Sequence, residues 1–134
     1  MTAPGRELAE DWLRKAHNDL VTAAQTLALE DGPTDTPCFH AQQAVEKSLK
    51  ALLTVRGTAF PRSHDLLQLL DLALPALAEL ETYRAQLAQI TGYGVWVRYP
   101  GVSSEPSRDD AREAVDVAER VHAVIARHLR AATR

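Results

Sequence analysis

Apolar residues recur at helical spacing in five separate stretches of this chain, and nowhere do they alternate as a half-buried strand requires. In the first stretch Leu8, Trp12, Ala16 and Leu20 repeat every four residues, and Ala23, Ala24 and Leu27 continue the face. The pattern runs from about residue 6 to 29 and stops at Asp31-Gly32-Pro33. A second helix is predicted from a cap at Thr34 to Thr36, with Pro37 in its first turn, to a stop at Gly57. A third starts with Ser63 as N-cap and turns Leu66, Leu69 and Leu70 inward before Pro75 breaks it. Leu80, Tyr83, Leu87 and Ile90 define a fourth, which ends at Gly92. The last begins near Ser107, with Asp109 and Asp110 at its positive end and Ala114, Val117, Ala118, Val121 and Ile125 on its apolar face. The expected fold is therefore all-α: an up-and-down bundle of about five helices with one long loop, Gly92 to Ser107, before the last.

At 134 residues the chain is expected to form one domain, residues 1–134, with an ordinary core. No apolar run reaches the ~20 residues that span a bilayer, and the N-terminus has no secretory pattern, so the expected location is cytoplasmic, away from membranes. The single cysteine rules out an intrachain disulfide and a cysteine zinc site. A net charge of −3 argues against a general phosphate-backbone binder while leaving room for a local basic site.

The second helix carries most of the chemistry. Cys38, Ala41, Val45, Leu49 and Leu52 share one face, and His40, Gln43, Lys47, Lys50 and Thr54 share the opposite one. The polar stripe suits either a solvated face or a phosphate or acidic-partner contact through Lys47 and His40. Glu46 and Lys50 have the spacing of an i,i+4 ion pair. Arg62, His64 and Asp65 cluster at the start of the third helix, where they serve either the turn itself or an anion at the helix N-terminus. In the long loop, Trp96, Arg98 and Tyr99 offer an arginine between two aromatics: either a stacking surface with a phosphate fork, or a plug on the bundle edge with Arg98 paired to a carboxylate such as Glu46.

Other chemistries have weaker signals. No HExxH spacing occurs, so no metal is expected, nor any cofactor. Cys38 lies on the apolar face and reads as packing rather than as a nucleophile. His122 and His128 fall on different faces of the last helix.

The ordered set Phe39-His40-Ala41-Gln42-Gln43-Ala44-Val45-Glu46-Lys47, then Ser63-His64-Asp65-Leu66, then Arg98-Tyr99-Pro100, resembles the prokaryotic HEPN domain from about residue 11 to 129. The resemblance implies a helical bundle, usually dimeric, associated with nucleotides or RNA and often encoded beside a small nucleotidyltransferase in a toxin–antitoxin-like pair. Many HEPN domains are ribonucleases marked by an arginine followed by a histidine after four to six intervening residues. No arginine–histidine pair in this chain has that spacing.

The sequence therefore points to a non-catalytic nucleotide- or RNA-associated homodimer with a small nucleotidyltransferase partner. Its candidate binding residues are His40, Lys47, Arg62, His64, Trp96, Arg98 and Tyr99, with no catalytic residue among them. Two alternatives stay open: a metal-independent endoribonuclease with a non-standard Arg/His pair, and a purely structural helical interaction protein.

Overall fold

The computed structural model describes residues 3–93 and 105–132. Five α-helices and one 3₁₀ segment account for most of them: α1 (Ala3–Ala28), α2 (Asp35–Val55), α3 (Leu66–Ala73), the 3₁₀ turn Ala78–Tyr83, α4 (Arg84–Thr91) and α5 (Arg108–Ala132). No strand occurs among the described residues.

Contacts along α1 set the directions of the long helices. Residues 40 and 47 of α2 meet Asp19, Lys50 meets Trp12, and Val55 lies with Ala9 and Leu13, so α2 runs antiparallel to α1. Arg108 of α5 meets Leu27, and His122 meets Leu13, so α5 is also antiparallel to α1. The short α3, 3₁₀ and α4 elements pack on one another; α3 and α4 also pack against α2, and the 3₁₀ turn and α4 against α5, so that α2 meets each of the other α-helices. One continuous apolar core runs through it, from Ala9 and Ala16 in α1, through Leu49, Leu52 and Leu53 in α2, to Val121 and Ile125 in α5.

The helix ends are closed by local chemistry. Gly57 has φ +68°, and the Thr58 amide bonds to the Leu53 carbonyl while the Gly57 amide bonds to that of Thr54. This is a Schellman stop, in which glycine takes the left-handed turn without a Cβ penalty. Asp110 Oδ2 accepts from the Ser107 amide while Ser107 Oγ accepts from the Asp110 amide, a reciprocal capping box that starts α5. Arg108 then reaches across to donate to the Leu27 and Leu29 carbonyls at 2.8 and 2.6 Å, putting a cation on the negative end of α1. Arg84 joins α3 to the 3₁₀ turn by pairing with both Asp71 and Glu81.

Three expectations change in detail. Asp65, not Ser63, is the N-cap of α3; it accepts from the Leu67 amide, while Ser63 Oγ accepts from the Asp65 amide. Thr34 occupies the N-cap of α2 without a side-chain bond, and Asp35 takes the Thr36 amide instead. The fourth apolar stretch is split, with a 3₁₀ turn preceding α4. In each case several residues able to cap or turn lie next to one another, and tertiary packing selects among them.

Candidate functional site

On the face of α2 expected to meet solvent, Lys50 is buried and His40, Gln43, Lys47 and Thr54 are half-buried, and beside it Gln42 and Glu46 are only 1% and 4% exposed. α1 closes one side of it and the segment preceding α3 closes the other. An isolated charge in such a place is costly, and each one here has a partner.

Two centres result. In the first, Asp19 of α1 divides its carboxylate: Oδ1 lies 2.8 Å from His40 Nδ1, and Oδ2 accepts from Lys47 Nζ at 2.6 Å. In the second, Glu46 Oε1 lies 2.9 Å from His64 Nδ1 and Oε2 accepts from Lys50 Nζ at 3.0 Å. The Lys50 ammonium also sits 5.6 Å from the Trp12 ring centroid and 5.8 Å from that of Phe60, within cation–π range of both. Two amides extend the second centre: Gln43 donates to Gln42, whose own Nε2 donates to Glu46 and to the His64 carbonyl. Thus a carboxylate, a lysine and a histidine meet twice along one helix.

This geometry assigns the protons. A carboxylate can only accept, so Nδ1 of each imidazole carries hydrogen and Nε2 is the open nitrogen in the neutral ring. His40 Nε2 and His64 Nε2 have no partner among the described residues. With neutral imidazoles, each centre balances one carboxylate against one ammonium. The α2 lysines are therefore neutralised from within, and the face presents hydrogen-bonding groups rather than excess positive charge.

The candidates fall into three groups. His40 and Lys47 converge on Asp19. His64 is tied to the separate Glu46 centre, yet its side chain is 68% exposed. Arg62 is exposed and has no ion-pair partner among the described residues. Trp96, Arg98 and Tyr99 lie outside the described residues, as does the proposed convergence of Arg98 with His40 and Lys47. The N-terminus of α3 has two amides already engaged, Leu66 by Thr91 Oγ1 and Leu67 by Asp65, which closes much of the anion site expected there. Cys38 is fully buried, and burial with the nearby Asp110 and Asp35 carboxylates pushes its thiol up to about 12, so it is no nucleophile at neutral pH. No cluster of three or more metal-ligating side chains lies among the described residues.

Sequence reading missed Asp19. Its signal was present: it falls on the stripe Trp12, Ala16, Asp19, Ala23, where every other member faces the core. An acidic residue in an apolar stripe needs a buried cation, and α2 holds two.

A model of the HEPN domain matches residues 9–129, a span that contains both centres. The chain belongs to the HEPN domain family. The crystal structure of TT1696 from Thermus thermophilus resembles this HEPN chain with a TM-score of 0.77 and 31% sequence identity, over 90% of this chain and 97% of that one. No curated protein matches. The HEPN match includes α1, and with it Asp19, so the carboxylate that organises His40 and Lys47 lies inside the family domain.

Proposed function

We propose that this HEPN chain is a non-catalytic module associated with a nucleotide or RNA, acting in the cytoplasm as a homodimer beside a small nucleotidyltransferase in a toxin–antitoxin-like pair. The observation that carries the binding reading is the α2 face inside the HEPN span, where His40 Nε2 remains open beside Lys47. A neutral, half-buried face of imidazole and amide groups suits a base edge or ribose hydroxyl. Positive charge for phosphate then comes from beyond the two centres, from Arg62 and from Arg98. The absence of any arginine–histidine pair at ribonuclease spacing supports the non-catalytic assignment.

The test is thermal stability against nucleoside triphosphates, monophosphates and short RNA. A bound ligand at about 100 times its Kd adds about 2.7 kcal/mol. Arg62→Ala and Arg98→Ala should each weaken binding by roughly 1.5 kcal/mol, the scale of a charge-assisted hydrogen bond. No stabilisation by any of these ligands overturns the reading.

One observation favours a second reading. An imidazole whose Nδ1 is held by a carboxylate has the orientation of a general base, and both His40 and His64 have it. A metal-independent endoribonuclease would use one of them with Arg62 or Arg98 on the phosphate. RNA cleavage in chelator, lost in His40→Ala or His64→Ala, would establish that reading and displace the first.

A further inference from the structure

α1 and α5 each bring one histidine to the place where they pass each other. The rings of His17 and His122 have their centroids 6.3 Å apart, with planes inclined at 39°. A single hydrogen bond sets this pairing. His122 Nε2 lies 3.3 Å from the Leu13 carbonyl, and His17 follows Leu13 by one turn of α1. The bond that holds His122 therefore also sets its ring beside His17. At about 100° per residue His17 lies about 200° around α1 from Asp19, on the side away from the α2 face.

The bond also fixes which nitrogen is open. A carbonyl only accepts, so Nε2 of His122 carries the hydrogen and Nδ1 keeps its lone pair in the neutral ring. That Nδ1 has no partner among the described residues, nor has either nitrogen of His17. Burial favours the neutral form of His122, and the nearby His17 and Arg130 act in the same direction. His122 is half-buried and held, whereas His17 is exposed and can turn to meet it. An imidazole that donates one N–H to a backbone carbonyl and offers its other nitrogen has the second contact that orients a metal-ligating histidine. The spacing agrees. With a metal–nitrogen bond of about 2.1 Å, two imidazoles on one ion have ring centres about 5 to 6.5 Å apart.

We infer that His17 and His122 together bind one first-row transition ion of high imidazole affinity, Zn²⁺ or Cu²⁺, through Nδ1 of His122 and one nitrogen of His17. No third metal-ligating side chain joins them among the described residues, so the ion is exchangeable rather than structural. Its remaining positions take water or a further ligand. Arg130 near His122 opposes any cation, which selects against Mg²⁺ and Ca²⁺, ions that imidazole holds poorly. The site is separate from the α2 face and does not depend on the function proposed for it.

The test is calorimetric titration of the whole chain with Zn²⁺, together with electron paramagnetic resonance of one equivalent of Cu²⁺. Zn²⁺ should saturate at one ion per chain with micromolar affinity, and Mg²⁺ should give no saturable heat. His17→Gln and His122→Gln should each weaken Zn²⁺ about tenfold, whereas His128→Gln, on another face of α5, should leave it unchanged. The Cu²⁺ spectrum should show two imidazole nitrogens in the unaltered chain and one in His17→Gln. If His122→Gln does not fold, the exposed His17→Gln and the nitrogen count decide. Absence of saturable Zn²⁺ binding overturns the inference, as does equal binding of Mg²⁺, indifference to His17→Gln or to a folded His122→Gln, an equal loss in His128→Gln, or a single nitrogen on Cu²⁺ in the unaltered chain.

Discussion

Asp19 receives both of its charge partners from a neighbouring helix, whereas Glu46 receives its lysine from its own next turn. Asp19 therefore ties α1 to α2, with His40 and Lys47 distant from it in sequence. Glu46 organises α2 internally, with Gln42 and Lys50, and reaches outward to His64 and, through Lys50, to the rings of Trp12 and Phe60. The exposures differ as well. Glu46 and Lys50 are more deeply covered than Asp19 and Lys47, while the histidine of the Glu46 centre is far more exposed than that of the Asp19 centre. The same three groups thus serve two ends: one centre holds a helix pair together, and the other keeps a lysine stable inside the bundle and leaves its imidazole near the surface.

That contrast breaks most readily at Glu46. Glu46→Ala strands the Lys50 ammonium between two aromatic rings and should cost at least about 3 kcal/mol in urea denaturation, the range for removing one partner of a buried pair. Asp19→Ala should cost less, about 2 kcal/mol, because His40 and Lys47 retain a path to solvent. Equal losses at the two sites, or a larger one at Asp19, would mean that coupling between helices outweighs burial.

The histidines sharpen the comparison at smaller scale. His40→Ala should cost about 1 kcal/mol as a part-buried hydrogen bond, and His64→Ala no more than about 0.5 kcal/mol as an exposed one. Thermal melts of the two variants side by side check the order.

His122 is the control, an imidazole with no carboxylate. It donates to the Leu13 carbonyl at 3.3 Å. Burial lowers its pKa below the ordinary value, and the nearby His17 and Arg130 add to this against the opposing backbone hydrogen bond. The folded state therefore binds the proton less readily than the unfolded chain. Its stability contribution is complete above the unfolded value of about 6.5 and is lost as pH falls from there toward the folded pKa. Replacing it by His122→Gln should make stability less sensitive to acid between about pH 7 and 5, a small effect read by denaturant titration at several pH values. An unchanged pH slope would show that His122 does not report on burial.

Much of this molecule was legible in the sequence. The apolar periods determined five helices, and the glycine at position 57 and the acidic first turn of α5 marked the end of α2 and the start of α5, because those signals act within one or two turns. The ordered motifs from Phe39 to Pro100 also placed the chain in its family, since side-chain identity at fixed spacing survives in the linear text. The pairing of α2 was not legible. His40 and Lys47 read first as solvated groups and second as a phosphate or acidic-partner contact, and only the approach of α1 decided that Asp19 holds both. Glu46 and Lys50 read as a surface pair, and only the covering of α2 on several sides made them a buried one. The physical reason is common to both: capping and amphipathic period are local properties, whereas the cost of leaving a charge unpaired depends on how much water the other helices exclude.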